Sequence, residues 1–190
     1  MFIRSERLFL RPGWPEDRDE LLTRIADEAV VRNLSSVPWP YSAHDAATFL
    51  DLPHDRLLPR FVITLPDAGG ARIIGGAGLH AAGDTVELGY WIARDAWGCG
   101  YASEAARAVV SLAQALRHPR LVASHYCDNP ASGRVLQKAG FRPTGRLTER
   151  FSKARGVAVP AREYELAFDA PGEFGGDHDD CPAMNQRRAA

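Results

Sequence analysis

The stretch from residue 85 to residue 117 constrains the fold most, because its hydrophobic period changes within a few residues. Residues 85–93 (TVELGYWIA) alternate as a β-strand does, with one set of side chains on each face. The turn that follows contains Gly98 and Gly100, and residues 101–116 then repeat apolar side chains at helical spacing. The sequence therefore predicts a strand, a glycine-rich turn and a helix in immediate succession.

This glycine-rich turn has the features of an anion site. Backbone N–H groups and the positive end of a helix dipole attract negative charge, and glycine lets a ligand approach the backbone closely. The turn does not match the dinucleotide-binding fingerprint, because the third glycine is missing, and no Gly-Lys-Ser/Thr motif is present. Taken alone, a tight turn at the start of a helix explains the pattern equally well.

The remaining periodicities predict a mixed α/β domain with elements in the order β-α-α-β-β-β-α-β-α-β-β. Its first helix starts at Pro15 and continues through Val30. Its last strand covers residues 161–168, and residues 169–190 are rich in Gly, Asp and Pro. We therefore expect one domain followed by a flexible acidic tail.

Composition argues against several classes of protein and site. No segment approaches the roughly 20 apolar residues of a membrane span, and charged residues interrupt the N-terminal segment, so we expect no signal peptide. Three unevenly spaced cysteines do not make a disulfide framework, which favours a cytoplasmic protein. No metal-binding motif occurs, and we interpret the acidic cluster at residues 177–181 as part of a solvated tail.

A second motif follows about thirty residues after the glycine-rich turn, at residues 129–141 (NPASGRVLQKAGF). Together with residues 87–92 (ELGYWI) and 97–105 (WGCGYASEA), it resembles the GNAT acetyltransferase superfamily. The closer resemblance is to the RimJ/RimL type, which acetylates protein N-termini, and residues 5–12 (SERLFLRP) look like the opening strand of that group. The resemblance covers residues 5–168 and implies a GNAT-like domain with a mixed, mostly antiparallel sheet flanked by about four helices.

The resemblance implies that acetyl-CoA is the acyl donor and that no metal is needed. In GNAT enzymes the glycine-rich loop binds the pyrophosphate through backbone N–H groups, the preceding strand pairs with the pantetheine arm, and the second motif also contacts the cofactor. Carried over to this chain, the cofactor-binding residues are Trp91, Ile92, Ala93, Trp97, Gly98, Cys99, Gly100, Tyr101, Ala102, Ser103, Asn129 and Ser132. Asn129 could equally be a plain helix cap, and both roles can hold at once.

The charge distribution agrees with an anionic cofactor. The formal net charge of −1 argues against a whole-chain nucleic-acid binder. Residues 117–168, however, hold ten Lys and Arg against four Asp and Glu. The resemblance places the outer phosphates of CoA near this region, where Arg134 and Lys138 could meet them. An acidic or ribosomal partner and a solvated face are the alternatives.

One departure from the family pattern concerns the proton donor to the leaving thiol. Many GNAT proteins carry a Tyr at the position of Leu136 as general acid. A thiol has a pKa near 8.5, so the thiolate leaves with little protonation and the loss of this Tyr is tolerable. Ser132, Tyr126 or a water molecule could donate instead. Within the second motif, the catalytic candidates are Ser132 and Asn129.

Glu87 is the best candidate for the general base, because acidic residues are uncommon inside an apolar strand and burial raises the pKa of a carboxylate. A Glu on this strand serves as base in several GNAT branches. The alternative is an ion pair between Glu87 and an Arg on the next strand. Asp128 is a second carboxylate candidate, whereas His80 and His125 are more often ordinary strand histidines.

The resemblance implies an acetyl-CoA-dependent N-acetyltransferase that moves the acetyl group to a primary amine. No nucleophile with an adjacent base is apparent in the sequence, which favours direct attack in a ternary complex. Trp39 and Tyr41 would line the acceptor site with Glu87, or else pack the loop between two helices. A peptide N-terminus is one acceptor; an antibiotic, polyamine or amino acid is another, and a non-catalytic acyl-CoA-binding module is the rival. We expect a monomer or homodimer without membrane contact or direct nucleic-acid binding.

Overall fold

A computed structural model describes residues 1–168, which form eight strands and five α-helices. The strands are β1 (Ile3–Arg4), β2 (Phe9–Arg11), β3 (Arg60–Asp67), β4 (Gly70–Ala82), β5 (Thr85–Ile92), β6 (Arg120–Tyr126), β7 (Arg142–Ser152) and β8 (Val157–Ala167). The helices are α1 (Arg18–Ile25), α2 (Glu28–Val31), α3 (Ala43–Leu50), α4 (Tyr101–Ala115) and α5 (Pro130–Lys138). The predicted tail and its acidic cluster lie outside the described residues.

All eight strands belong to one sheet in the order β1-β2-β3-β4-β5-β6-β8-β7. Every neighbouring pair is antiparallel except β5 and β6, which are parallel and meet at a single residue pair, Glu87 and Val122. Beyond that pair the two strands no longer bond to each other, so the sheet opens in its middle. The predicted single α/β domain with a mostly antiparallel mixed sheet is confirmed.

Helices cover both faces of the sheet, because successive side chains of a strand point to opposite sides. One core contains apolar residues of α4 and α5 together with Leu88 and Ile92 of β5. The other contains apolar residues of α1, α2 and α3, against which Trp91 packs. Gly76 makes room for this indole, since a Cβ there would lie 2.6 Å from its Nε1. No helix within residues 1–168 is long and apolar enough to cross a membrane.

Local signals place the helix starts. Ser42 and Asp45 form the capping box that their spacing predicts, and α3 begins directly after Ser42. The side chain of Asn129 accepts a hydrogen bond from the backbone N–H of Ser132 at 3.3 Å, and Pro130 occupies the first position of α5. Each of these caps starts its helix at the residue where the sequence predicts it.

The predicted continuous helix from Pro15 through Val30 is wrong. The chain leaves α1 at Ala26, and the side chain of Asp27 accepts from the backbone N–H of Ala29 at 2.8 Å, which starts α2 as a separate helix. This raises the helices of the described residues to five, against the expected four or so. The two-residue strand β1 was not predicted, and β8 begins at Val157 rather than at residue 161.

Candidate active site

A cavity of about 350 Å³ lies where β5 and β6 part. Its wall comes from both sides of the sheet, with Val30, Asn33 and Leu34 at the end of α2 on one side and residues of α4 and α5 on the other. Ten of the predicted site residues line it: Trp91, Ile92, Trp97, Gly98, Gly100, Tyr101, Ala102, Ser103, Asn129 and Ser132. The open gap in the sheet therefore brings the two motifs to one cavity.

Two predicted cofactor residues lie outside this wall. Ala93 is buried, and its backbone N–H donates to the carbonyl of Ile74 at 2.8 Å. Cys99 is exposed between the two glycines of the loop. The position of Ala93 follows from its place at the end of β5, where its backbone continues the pairing with β4.

The glycine-rich loop has the backbone geometry of an anion site. Gly98 and Gly100 adopt φ angles of +78° and +81°, in the left-handed region that favours glycine. Within the part of the chain that the structure describes, the N–H groups of residues 98–103 have no protein acceptor. They stand at the N-terminus of the 15-residue helix α4, where the helix dipole is positive.

Two cations extend this positive region. Arg134 and Lys138 of α5 line the same cavity. Among the described lining residues there is no Asp or Glu, so the charge of the wall is positive. The cavity thus suits a ligand that carries phosphate groups at one end. No cluster of metal-ligating side chains is found within residues 1–168.

Ser132 has a hydroxyl partner that the sequence analysis missed. The Tyr90 hydroxyl lies 2.6 Å from Ser132 Oγ and 3.1 Å from the Ser132 carbonyl oxygen, and both residues line the cavity. Burial raises the pKa of Tyr90 to about 12, so the phenol keeps its proton at neutral pH. The alternation of β5 puts Tyr90 on the same strand face as Leu88 and Ile92, and no local signal distinguishes it from them.

The other proton-donor candidates are placed differently. The Tyr126 hydroxyl donates to the carbonyl of Phe151 at 3.2 Å, and Tyr126 does not line the cavity. Leu136 lies on α5, with its side chain buried in the core between this helix and the sheet. Of the two side chains that the sequence suggested as proton donors, Ser132 and Tyr126, only Ser132 is therefore at the cavity wall.

Glu87 is a buried partner of Arg150. Arg150 Nη2 lies 2.9 Å from Glu87 Oε2, Ser124 Oγ donates to Oε1 at 3.1 Å, and His80 Nε2 lies 3.3 Å from Oε2. Burial acts to raise the pKa of Glu87, but hydrogen bonds from His80 and Arg150 outweigh it and lower that pKa to about 2. A carboxylate with so low a pKa is a weak base at neutral pH.

The geometry of Glu87 matches the ion-pair alternative, with one difference. Arg150 lies on β7, at the far edge of the sheet, and not on the strand next to β5. Glu87 is not part of the cavity wall described above. Its role as a general base stays a prediction.

The remaining candidate bases are also engaged. Asp128 accepts from Arg155 at 2.7 Å and from Arg32 at 3.2 Å, and these contacts, the Arg155 hydrogen bond first, hold the pKa of Asp128 below its ordinary value. The buried ring of His125 has Nδ1 2.8 Å from the Tyr126 carbonyl. Neither residue lines the cavity.

The predicted acceptor residues Trp39 and Tyr41 lie away from this cavity wall as well. Tyr41 belongs to the core formed by α1, α2 and α3, where burial raises its pKa to about 12. The Trp39 side chain is partly exposed. On that side of the sheet, the wall comes instead from the end of α2, and no sequence signal marked those residues.

Comparisons with known sequences place the chain in a family. The family described as "Acetyltransferase (GNAT) domain" matches residues 7–142. The uncharacterized N-acetyltransferase YoaA of Bacillus subtilis is 31% identical over 156 residues, which is 77% of this chain and 86% of YoaA.

Solved structures share the fold. RimL, a ribosomal L7/L12 α-N-protein acetyltransferase in complex with coenzyme A, superposes with a TM-score of 0.75 at 20% identity, over 90% of this chain and all of RimL. Spermidine N-acetyltransferase from Vibrio cholerae, in complex with CoA and spermine, superposes with a TM-score of 0.70 at 19% identity, over 86% of this chain and 96% of that one. The family match spans most of the chain, and by that match the protein belongs to the GNAT acetyltransferases.

Proposed function

We propose that this acetyltransferase moves the acetyl group of acetyl-CoA directly to the α-amino group of a protein or peptide N-terminus, as the RimJ/RimL branch does. The observation that carries the proposal is the cavity in the middle of the sheet, which reaches both helix layers. The loop before α4 offers phosphate-binding N–H groups on one side. The end of α2 leaves room for an acceptor on the other.

Acetyl-CoA would supply the activated thioester, and the residues of the chain would hold it. The N–H groups of residues 98–103 would bind the pyrophosphate, with Arg134 and Lys138 adding positive charge nearby. Trp91 and Ile92, at the open edge of β5, would bind the pantetheine arm. Together these groups would hold the thioester end of the cofactor in the gap between β5 and β6.

Ser132 would stabilise the departing sulfur through a hydrogen bond. When Tyr90 donates to Ser132 Oγ, the proton of Ser132 is free to point into the cavity. A thiolate needs only this modest help, because thiols have a pKa near 8.5.

The absence of an available base favours an α-amino acceptor. None of the described wall residues is Asp, Glu or His, and Glu87 is tied to Arg150 with a pKa of about 2. An α-amino group has a pKa near 8, so about a tenth of it is already neutral at pH 7. A lysine or polyamine amine, with a pKa near 10.4, is almost wholly protonated and would need the base that the wall lacks.

An acceptor panel tests this function. The protein is incubated with acetyl-CoA and with peptides that begin with Ala or Ser, the same peptides blocked at the N-terminus but containing Lys, and spermidine; release of the CoA thiol is followed. We expect release with free N-termini alone. Release with spermidine alone would show a small-amine acetyltransferase, and CoA binding without any release would show a binding module.

A further inference from the structure

We infer that Arg7 is a positioning residue for the phosphate-binding loop, acting through Glu104 and through the carbonyl of Cys99. The inference rests on the proposed function in one respect: the loop ligand is the pyrophosphate of CoA. Arg7 itself lies outside the cavity wall, in the segment between β1 and β2.

Arg7 is joined to the first turn of α4 by several hydrogen bonds. Its Nε lies 2.8 Å and its Nη2 2.7 Å from Glu104 Oε2, and its backbone N–H donates to Glu104 Oε1 at 2.7 Å. Ser5 Oγ donates to the same Oε1 at 2.7 Å. The Glu104 carboxylate is buried, and these hydrogen bonds and the charge of Arg7 hold its pKa below the ordinary value against the effect of burial. These hydrogen bonds therefore fix the N-terminal segment on α4, the helix that directly follows the phosphate-binding loop.

The last donor of Arg7 reaches the loop itself. Nη1 donates to the carbonyl oxygen of Cys99 at 3.0 Å. The peptide bond between Cys99 and Gly100 is trans, so its C=O and N–H point in opposite directions. By holding the carbonyl, Arg7 turns the Gly100 N–H away from itself, and Gly100 is one of the residues that line the cavity.

This arrangement uses the full geometry of a guanidinium group. One face of it packs over the Tyr101 ring at 4.7 Å from the centroid, while the edge bonds both Glu104 and Cys99. A lysine carries the same charge but has a single nitrogen, and cannot bond both partners in this fork geometry. Charge alone does not replace Arg7, which makes Arg7→Lys the informative variant.

The test compares two acyl donors that differ in the part the loop would bind. Acetyl-CoA carries the pyrophosphate, and S-acetylpantetheine does not. We expect Arg7→Lys to raise the Kd of CoA, measured by calorimetry, and the KM of acetyl-CoA by about tenfold, because charge-assisted hydrogen bonds to the loop are lost. The kcat with acetyl-CoA and the kcat/KM with S-acetylpantetheine should stay at the wild-type value.

Arg4→Lys, at an exposed position of β1, is the matched control. It should change neither the Kd of CoA nor the kinetic constants for either acyl donor. An equal loss with both donors, or an unchanged Kd of CoA in Arg7→Lys, would overturn the inference. The proposed function fails separately: wild-type protein that binds CoA no more tightly than pantetheine would show that the loop is not a phosphate site, whatever Arg7 does.

Discussion

The hydroxyl oxygens of Tyr90 and Ser132 lie 2.6 Å apart at the cavity wall, although 42 residues separate them in the chain. Tyr90 lies on β5 and Ser132 in the first turn of α5, so the contact bridges the gap in the sheet. Because Tyr90 is buried and keeps its proton, it can donate to Ser132 Oγ and leave the Ser132 proton for a ligand in the cavity, which under the proposed function is the thioester sulfur.

Ser132→Ala should lower kcat about tenfold while leaving the Kd of CoA unchanged, because the hydrogen bond to the departing sulfur is lost. Tyr90→Phe should lower kcat by a similar factor in the wild-type background and by little in the Ser132→Ala background. Steady-state kinetics of both single variants and the double variant measure this coupling. Independent, multiplicative losses would separate Tyr90 from the function of Ser132.

Glu87→Gln should destabilise the fold more than it slows the reaction, since it leaves the Arg150 guanidinium without its buried partner. We expect a loss of about 3 kcal/mol in the free energy of unfolding, and a turnover per folded molecule within about tenfold of wild type. Glu149→Gln, an exposed residue on β7, is the control. A turnover loss of about 10²–10⁴-fold with unchanged stability would instead identify Glu87 as the base.

The same ion pair predicts a pH dependence of stability. The pKa of Glu87 falls from an ordinary 4.5 to about 2 on folding, so its contribution is complete above pH 4.5 and is lost as the pH falls toward 2. Chemical denaturation at several pH values should show wild-type protein losing stability over this interval. Glu87→Gln should lack that component, and parallel curves for the two proteins would contradict the assignment.

The pH dependence of turnover should follow the pKa of the acceptor amine and not the pKa of an enzyme side chain. With no free base at the described wall, kcat/KM for a peptide should rise with pH and level off near pH 8, the pKa of an α-amino group. Peptides whose N-terminal amines have different pKa values should shift the curve in step. A midpoint that stays constant across such peptides would indicate an enzymic base.

Gly98→Ala should weaken CoA binding, because φ at this position is +78° and a side chain there strains the loop by about 1 kcal/mol. Gly83→Ala is the matched control, since Gly83 has a φ of +58° in the turn between β4 and β5 and is not part of the cavity wall. Calorimetry with CoA and thermal unfolding separate the two effects. Both variants should lose stability, and Gly98→Ala alone should lose affinity.

Local patterns predicted the parts of the site that depend on neighbours in sequence. The change of period around Gly98 and Gly100 predicts the strand, loop and helix, and the Asn129–Pro130 pair predicts the start of α5; the structure has both. The same reasoning joined α1 and α2 into one helix, because apolar spacing continues across Asp27. The backbone, however, leaves α1 at Ala26, and the Asp27 side chain then caps a new helix.

The sequence by itself determined the domain class, most of the order of elements and the two motifs that line the cavity, since periods, caps and glycine positions act over a few residues. Only the tertiary structure decided the partners: Tyr90 with Ser132, Glu87 with Arg150, and Arg7 with Glu104 are 42, 63 and 97 residues apart. Such contacts depend on the order in which strands join the sheet and on where β5 and β6 separate. A polar side chain that looks catalytic in sequence is therefore a base or an ion-pair partner according to which distant residue the fold brings beside it.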